Sequence, residues 1–188
     1  MKRLYYLLTL CISFLCFNSC AIKPLPVEPI VFANKSDRQG LVVGSITFKD
    51  HRARYGNYLL KVLSKSTDPH LAKMNTFTIN IAPEKIWKVK HVGDKDGGLT
   101  YIFVYKKPIG DYEISHFIYS GQNLVYTFLD KITLNNGFTV KRGAITYVGN
   151  FYIDEYASKN GITIFERDMQ VEDFRFLKNK YPSIDWGN

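Results

Sequence analysis

The chain has 188 residues, 46% of them hydrophobic, 15% aromatic and 22% charged, with a formal net charge of +8. That length fits one ordinary domain or at most two small ones. The apolar content excludes a disordered polymer, Gly 13 and Pro 7 exclude a collagen-like or proline-rich chain, and Cys 3 excludes a disulfide-built scaffold. In chain order, Met1-Lys2-Arg3 sets two positive charges ahead of an uncharged apolar run over 4–17. As a helix rising about 1.5 Å per residue this run reaches about 21 Å, short of a bilayer core of about 30 Å. A basic start, a short apolar core and small residues after it have the layout of a secretory signal over residues 1–19. A buried N-terminal helix is the competing reading, and the placement of the charges favours export.

The segment ends Asn18-Ser19-Cys20-Ala21, with a small residue on each side of the cysteine. This resembles the lipobox of bacterial lipoproteins, with Phe17 where leucine is usual. The resemblance implies cleavage before Cys20, a diacylglycerol on its sulfur and an acyl chain on its amine. Cys11, Cys16 and Cys20 are the three cysteines, and the 168 residues after Cys20 contain none. The exported part is therefore expected to lack disulfides, a thiolate nucleophile and Cys-ligated metal. Durable anchoring takes two or more acyl chains, so a lipidated Cys20 would hold the domain on a membrane. Ala21, in place of the Asp associated with inner-membrane retention, implies the outer membrane facing the periplasm. Residues 20–36 read as the lipidated cysteine and a tether, because Pro24, Pro26 and Pro29 favour extended backbone of about 3.1 Å per residue.

Beyond the tether the pattern turns to period two. Val42, Gly44, Ile46 and Phe48 share one face, and Phe77, Ile79 and Ile81 alternate with Thr76, Thr78 and Asn80. Further strands are predicted over 57–64, 85–91, 99–106, 111–119, 123–130, 137–141, 144–153 and 161–166. Turns are predicted at Gly56, Pro83, Gly93 with Gly97-Gly98, Pro108 with Gly110, Gly121, Asn135-Asn136-Gly137, Gly143 and Gly161. Many short strands between turn signals predict a mainly β domain over 37–166, an antiparallel β-sandwich of about seven to eight strands. The tail, 167–188, changes period. Asp168 is the expected N-cap of a short C-terminal helix, with Glu172 and Asp173 early, Lys178 and Lys180 late, and Tyr181-Pro182 as its stop. Phe174 and Leu177 are expected to pack on the sheet, closing one side or covering an edge strand.

Candidate chemistry is sparse. His51, His70, His91 and His116 form no pair at metal-ligand spacing. His116 lies among Ile114 and Ile118, where it could face inward, and a lone histidine so placed is ordinarily a hydrogen-bonded core or rim residue. No serine occupies a Gly-x-Ser-x-Gly elbow. Asp94-Lys95-Asp96-Gly97-Gly98 starts like a calcium loop, but Tyr105 stands where the twelfth-position Glu is needed, so a tight hairpin turn is expected. No cofactor, metal or catalytic residue is expected. Arg52, Arg54 and Tyr55 form a basic loop with an aromatic, either a solvated loop or a contact for anionic envelope material. Tyr101, Phe103 and Tyr105 alternate with Ile102 and Val104. That strand is either covered on both faces or carries a stripe for sugar rings or a protein partner. Without Lys2 and Arg3 the charge is +6, and export makes nucleic acid an unlikely partner, leaving lipid headgroups and envelope polymers as the anions at hand.

Two later segments carry a second resemblance. Lys107-Pro108-Ile109-Gly110-Asp111-Tyr112-Glu113-Ile114 resembles the turn and strand of transthyretin-like and carboxypeptidase-regulatory-like sandwiches. The stretch from Phe138 to Asn150 resembles a segment of uncharacterised bacterial lipoproteins with that domain type. The resemblance implies a sandwich and a non-enzymatic role, and it transfers no functional residue. The expectation is a membrane-anchored envelope lipoprotein acting as a binding or scaffold module, for a protein partner first and a glycan second. The alternative is an envelope hydrolase using His116 or His91 with a carboxylate, and a third class adds a strand to a partner at an uncovered edge.

Overall fold

The computed structural model describes residues 30–33, 39–49, 55–81, 92–122, 127–158 and 161–186. Its elements are β1 (Gln39–Phe48), β2 (Asn57–Ser64), α1 (Pro69–Asn75), β3 (Phe77–Ile81), β4 (Thr100–Pro108), β5 (Gly110–Gln122), β6 (Thr127–Val140), β7 (Ile145–Ser158), β8 (Gly161–Arg167) and α2 (Gln170–Lys180). A 3-10 turn over Asp96–Gly98 precedes β4. Two four-stranded sheets, ordered β4-β1-β7-β8 and β3-β2-β5-β6, face each other as a β-sandwich. Pairing is antiparallel except between β1 and β7, which run parallel because the whole second sheet lies between them in the chain.

Period-two alternation builds the core. Val42, Ile46 and Phe48 turn inward from β1 to meet Tyr58, Leu60, Ile114, Phe117 and Phe151, all buried. The Phe48 and Tyr58 rings meet edge-on with centroids 4.7 Å apart. A second apolar cluster lies on the opposite face of the first sheet, where Leu41 and Val43 pack with Leu177 of α2, Phe32 and Ile184. β1 is therefore buried on both faces, and α2 lies over the sheet's outer surface. At the β4–β5 turn Tyr112 and Ile114 enter the core, and the Tyr112 hydroxyl donates to the Pro108 carbonyl at 2.9 Å.

Several expectations change. The predicted strands 123–130 and 137–141 are parts of one strand as far as residues 127–140 show, and Asn135-Asn136-Gly137 is not a hairpin. Asn135 takes φ 57 within a register shift between β5 and β6, so its positive φ makes a β-bulge inside the ladder. A second bulge at Ser115 changes the phase of β5. Ser115 is the extra residue against β2, its hydroxyl bonds the Lys61 carbonyl at 3.1 Å, and His116 then pairs with Lys61 and Thr133 on the outer face. α2 begins two residues after Asp168. Met169 is its cap residue with no side-chain bond, while Asp168 Oδ1 accepts the Gln170 N–H at 3.1 Å. α1 was not expected from periodicity, although Asp68 caps it and Pro69 stands in its first turn. Residues 85–91 lie outside the described residues, as do the expected signal and most of the expected tether.

Candidate functional site

One side of the sandwich is a groove of about 450 Å³ between the edge strands β6 and β8. Asn136, Gly137 and Phe138 line it from β6, Tyr147 to Gly149 from β7, Glu166 and Arg167 from β8, and Asp168 with Gln170 from the entry to α2. Glu166 spans the gap between the sheets, accepting from the Asn136 side-chain amide at 2.7 Å. This close approach needs Gly149. Its φ is 103, at the register shift between β1 and β7, and a Cβ there would stand 2.9 Å from Glu166 Oε1.

Behind the groove runs a directed chain of hydrogen bonds. Arg167 donates from Nε at 3.0 Å and Nη2 at 2.9 Å to Asn150 Oδ1, and its guanidinium lies 3.9 Å from the Tyr152 ring centre. Asn150 Nδ2 then donates to Ser45 Oγ at 2.7 Å and to Thr47 Oγ1 at 2.8 Å. Ser45 donates its own hydroxyl hydrogen bond to Asp173 Oδ2 at 2.5 Å, and Tyr147 donates to the same oxygen at 2.9 Å. Lys95 Nζ holds the other oxygen at 2.6 Å. A second branch ends on Asp96. Thr100 donates to that carboxylate at 2.5 Å, so the single Thr47 hydroxyl hydrogen must point to Thr100 at 2.8 Å. Ser45, Thr47, Thr100, Asn150 and Asp173 are all buried.

The chemistry is consistent throughout: each donor points toward one of two terminal carboxylates. Burial, then the charge of Asp173 and the bond to it, push the Tyr147 hydroxyl above the ordinary tyrosine range, so it stays a donor. A network with every member satisfied is rigid. It fixes Arg167 and Tyr147, two of the groove's walls, and ties them to α2.

Of the residues anticipated as contacts, the described ones do not line the groove. Cys20, Arg52, Arg54 and His91 lie outside the described residues. Tyr55 is half-buried, with its ring 4.9 Å from that of Tyr119 and its N–H donated to the Tyr58 hydroxyl at 2.8 Å. Tyr58 in turn donates to Glu155, a buried carboxylate on the inner face, and desolvation followed by that bond raises the Tyr58 hydroxyl far above its usual range. Tyr101 faces the core at 6% exposure and Tyr105 packs 5.6 Å from Phe77, so neither belongs to an exposed stripe. Ile102 and Val104 pack in the cluster under α2, which is why both faces of β4 are apolar. Asp94 serves the hairpin and α2, accepting the Ile102 N–H at 2.8 Å and pairing with Lys180. Among the described residues, neither His70 nor His116 has a side-chain bond to a carboxylate, and no group of three or more His, Cys, Asp or Glu could hold a metal ion.

No protein-family model matches the chain, and no curated protein matches it. Among solved structures, a leucine-rich repeat protein from Bacteroides thetaiotaomicron is similar at 14% identity and a TM-score of 0.31. That similarity covers 61% of this chain, which spans 14% of the other protein's length.

Proposed function

We propose that the chain is an envelope lipoprotein, anchored through Cys20, whose domain is a binding module with the β6–β8 groove as its contact surface. The observation that carries the reading is the fixed wall of that groove: Arg167 and Tyr147 are locked from behind before any ligand arrives. Preorganised groups bind more tightly because the ordering cost is met during folding. The lining combines a guanidinium, two carboxylates, two amides and two aromatic rings. Such a set suits a polar ligand with many hydrogen-bonding groups.

A protein segment is the first candidate. β8 and β6 end their sheets, and the groove runs between those two edges, so an extended strand of a partner could pair there. A glycan is the second candidate, its hydroxyls meeting Asn136, Glu166 and Gln170. The module reading also fits His116, which stands on the outer face beside Lys61 and not in a cleft.

A photo-crosslinking residue at Gln170 in the native host tests this, with a probe at exposed Leu129 as control. The expected result is discrete adducts from Gln170 that Leu129 does not give and that Arg167→Ala abolishes. Protease-sensitive adducts identify a protein partner, and protease-resistant ones a glycan. The same adducts from both positions would overturn the assignment of the groove.

A further inference from the structure

The described part of the tether is not loose. Phe32 forms a parallel bridge with Ile184 and is 1% exposed, buried among Leu41, Val43 and Leu177. The Phe32 carbonyl accepts the Asp185 N–H at 3.0 Å, and the Ile30 carbonyl accepts the Ser183 hydroxyl at 3.0 Å. The C-terminal segment thus clamps the chain at residues 30–32. Ile30 stands ten residue steps beyond Cys20, a reach of about 31 Å when extended at about 3.1 Å per residue.

The clamp lies toward one end of the sandwich. Lys106 sits over the Phe32 ring at 5.7 Å, and β1 starts at Gln39 opposite Pro108. The β6–β7 hairpin reaches the same end, since the Gly143 N–H donates to the Gln39 carbonyl at 3.0 Å. β5 begins there too, with Gly110 opposite Val140. β2 finishes there, the Lys65 N–H bonding the Asp111 carbonyl at 2.8 Å, and α1 follows.

This end is both apolar and basic. Leu71 at 46%, Met74 at 66% and Ile109 at 54% are exposed, with Val31 of the clamp at 59%. Lys73, Lys141 and Arg142 are exposed at the same end, and half-buried Lys106 and Lys107 lie over the Phe32 and Phe77 rings. Among the described residues the acids of this end are Asp68, which caps α1, Asp111, which accepts from Thr139 at 2.6 Å, Glu113, which pairs with Lys65 at 2.7 Å, and Asp185 in the clamp, fewer than the basic groups. Exposed apolar tips within a basic rim, at the end where a short tether arrives, match a surface of anionic headgroups above acyl chains.

We propose that this end of the domain, formed by α1, the β4–β5 turn and the β6–β7 hairpin, lies against an anionic lipid surface. The apolar tips enter the interface, and Lys141 and Arg142 meet headgroup phosphates. The proposal rests on the anchoring of Cys20, and it adds a fixed orientation to what would otherwise be a freely turning domain. Leu129, at the far end of β6, then faces away from the membrane.

The test uses the processed, lipidated protein reconstituted in vesicles of phosphatidylethanolamine with phosphatidylglycerol, carrying a fluorophore at Met74→Cys or Leu129→Cys. A headgroup-attached quencher is expected to dim the Met74 probe and spare the Leu129 probe. Each basic residue near an anionic surface strengthens contact about fivefold. Lys141→Glu with Arg142→Glu should therefore lower the ratio of docked to undocked molecules on the order of 25-fold or more. Equal quenching at both positions, or quenching indifferent to the charge reversal and to phosphatidylglycerol, overturns the orientation. Failure of the protein to float with the vesicles overturns the anchored reading itself, so the two failures are told apart.

Discussion

Removing the Asp173 carboxylate is the most direct way to ask whether the buried relay holds the groove. Asp173 is fully buried and receives three bonds, from Ser45, Tyr147 and Lys95, whose side chain is itself only 14% exposed. Asp173→Ala leaves an ammonium and two hydroxyls without their acceptor in a desolvated layer. Breaking a buried pair from one side costs about 3–5 kcal/mol. For a domain of this size each kcal/mol lowers the melting temperature by about 2–4 °C, so a fall of about 6–20 °C is expected. Thermal unfolding of the mature chain followed by circular dichroism reads the loss. Amide exchange over 170–180 reads where it occurs, because α2 loses its tie to β1 and β7.

The comparison that decides the mechanism is Asp173→Leu with Lys95→Met. Replacing both charges by apolar groups of similar size leaves no uncompensated ion, so this pair should recover the share of the loss that belongs to the stranded Lys95 ammonium, while the Ser45 and Tyr147 hydroxyls still lack their acceptor. Were Asp173→Ala to melt within about 2 °C of the wild type, the relay would carry no weight in the fold. A double variant as unstable as the single one would show that the loss comes from the stranded hydroxyls and packing, and not from the charge pair.

Four further outcomes follow from other positions. Gly149→Ala should destabilise by about 1–3 kcal/mol, from the positive φ alone, and shift the Glu166 carboxylate; urea unfolding and the chemical shift of the Asn136 side-chain amide report the two effects. Tyr58→Phe strips the buried Glu155 of its hydroxyl donor and should cost about 1–3 kcal/mol in the same unfolding assay. Asp154 and Asp130 contribute to the acid limb of stability, both held below the usual carboxylate range, Asp154 by its Lys49 bond and Asp130 by the Tyr119 hydroxyl. A depressed folded pKa adds stability above the unfolded value of 3.8 that is lost as pH falls through the folded value, so Lys49→Met should flatten the acid limb in melts taken below pH 4. At the alkaline end, Tyr58, Tyr101 and Tyr147 are all raised above 10.0, chiefly by burial, so the unfolded chain ionises first and melts should fall as pH rises past about 10.

The features legible in the sequence are those that depend on neighbours along the chain. β2 and β3 span the residues that alternation marks, 57–64 and 77–81. The hairpin around Gly97-Gly98 and the reversal at Gly143 stand where turn chemistry puts them, with φ values of 68, 95 and 61. The same local logic misleads where one residue is added to a ladder. Asn135-Asn136-Gly137 carries the positive-φ preference of a tight turn, and a bulge uses that preference without reversing the chain. The extra residue at Ser115 likewise moves His116 to the outer face, since side-chain period two makes any one-residue shift a change of face.

The groove and its relay depend on pairings that no local pattern announces. Ser45 and Asp173 are 128 residues apart, and on α2 an early aspartate has an adequate explanation in the helix dipole. One trace is present in β1. Its outward positions run Leu41, Val43, Ser45, Thr47, so the face turns from apolar to hydroxyl-bearing halfway along while every residue from Gly40 to Phe48 stays buried. Buried hydroxyls require partners, and that change of character is where the partners gather: apolar α2 contacts over Leu41 and Val43, then Asp173, Asn150 and Thr100 over Ser45 and Thr47. The helix therefore does two jobs with one face. Leu177 supplies burial against Phe32, and one turn earlier Asp173 terminates the chain of bonds that begins at Arg167. Arg167 is thus joined, through Asn150 and Ser45, to the same helix whose trailing segment holds Phe32.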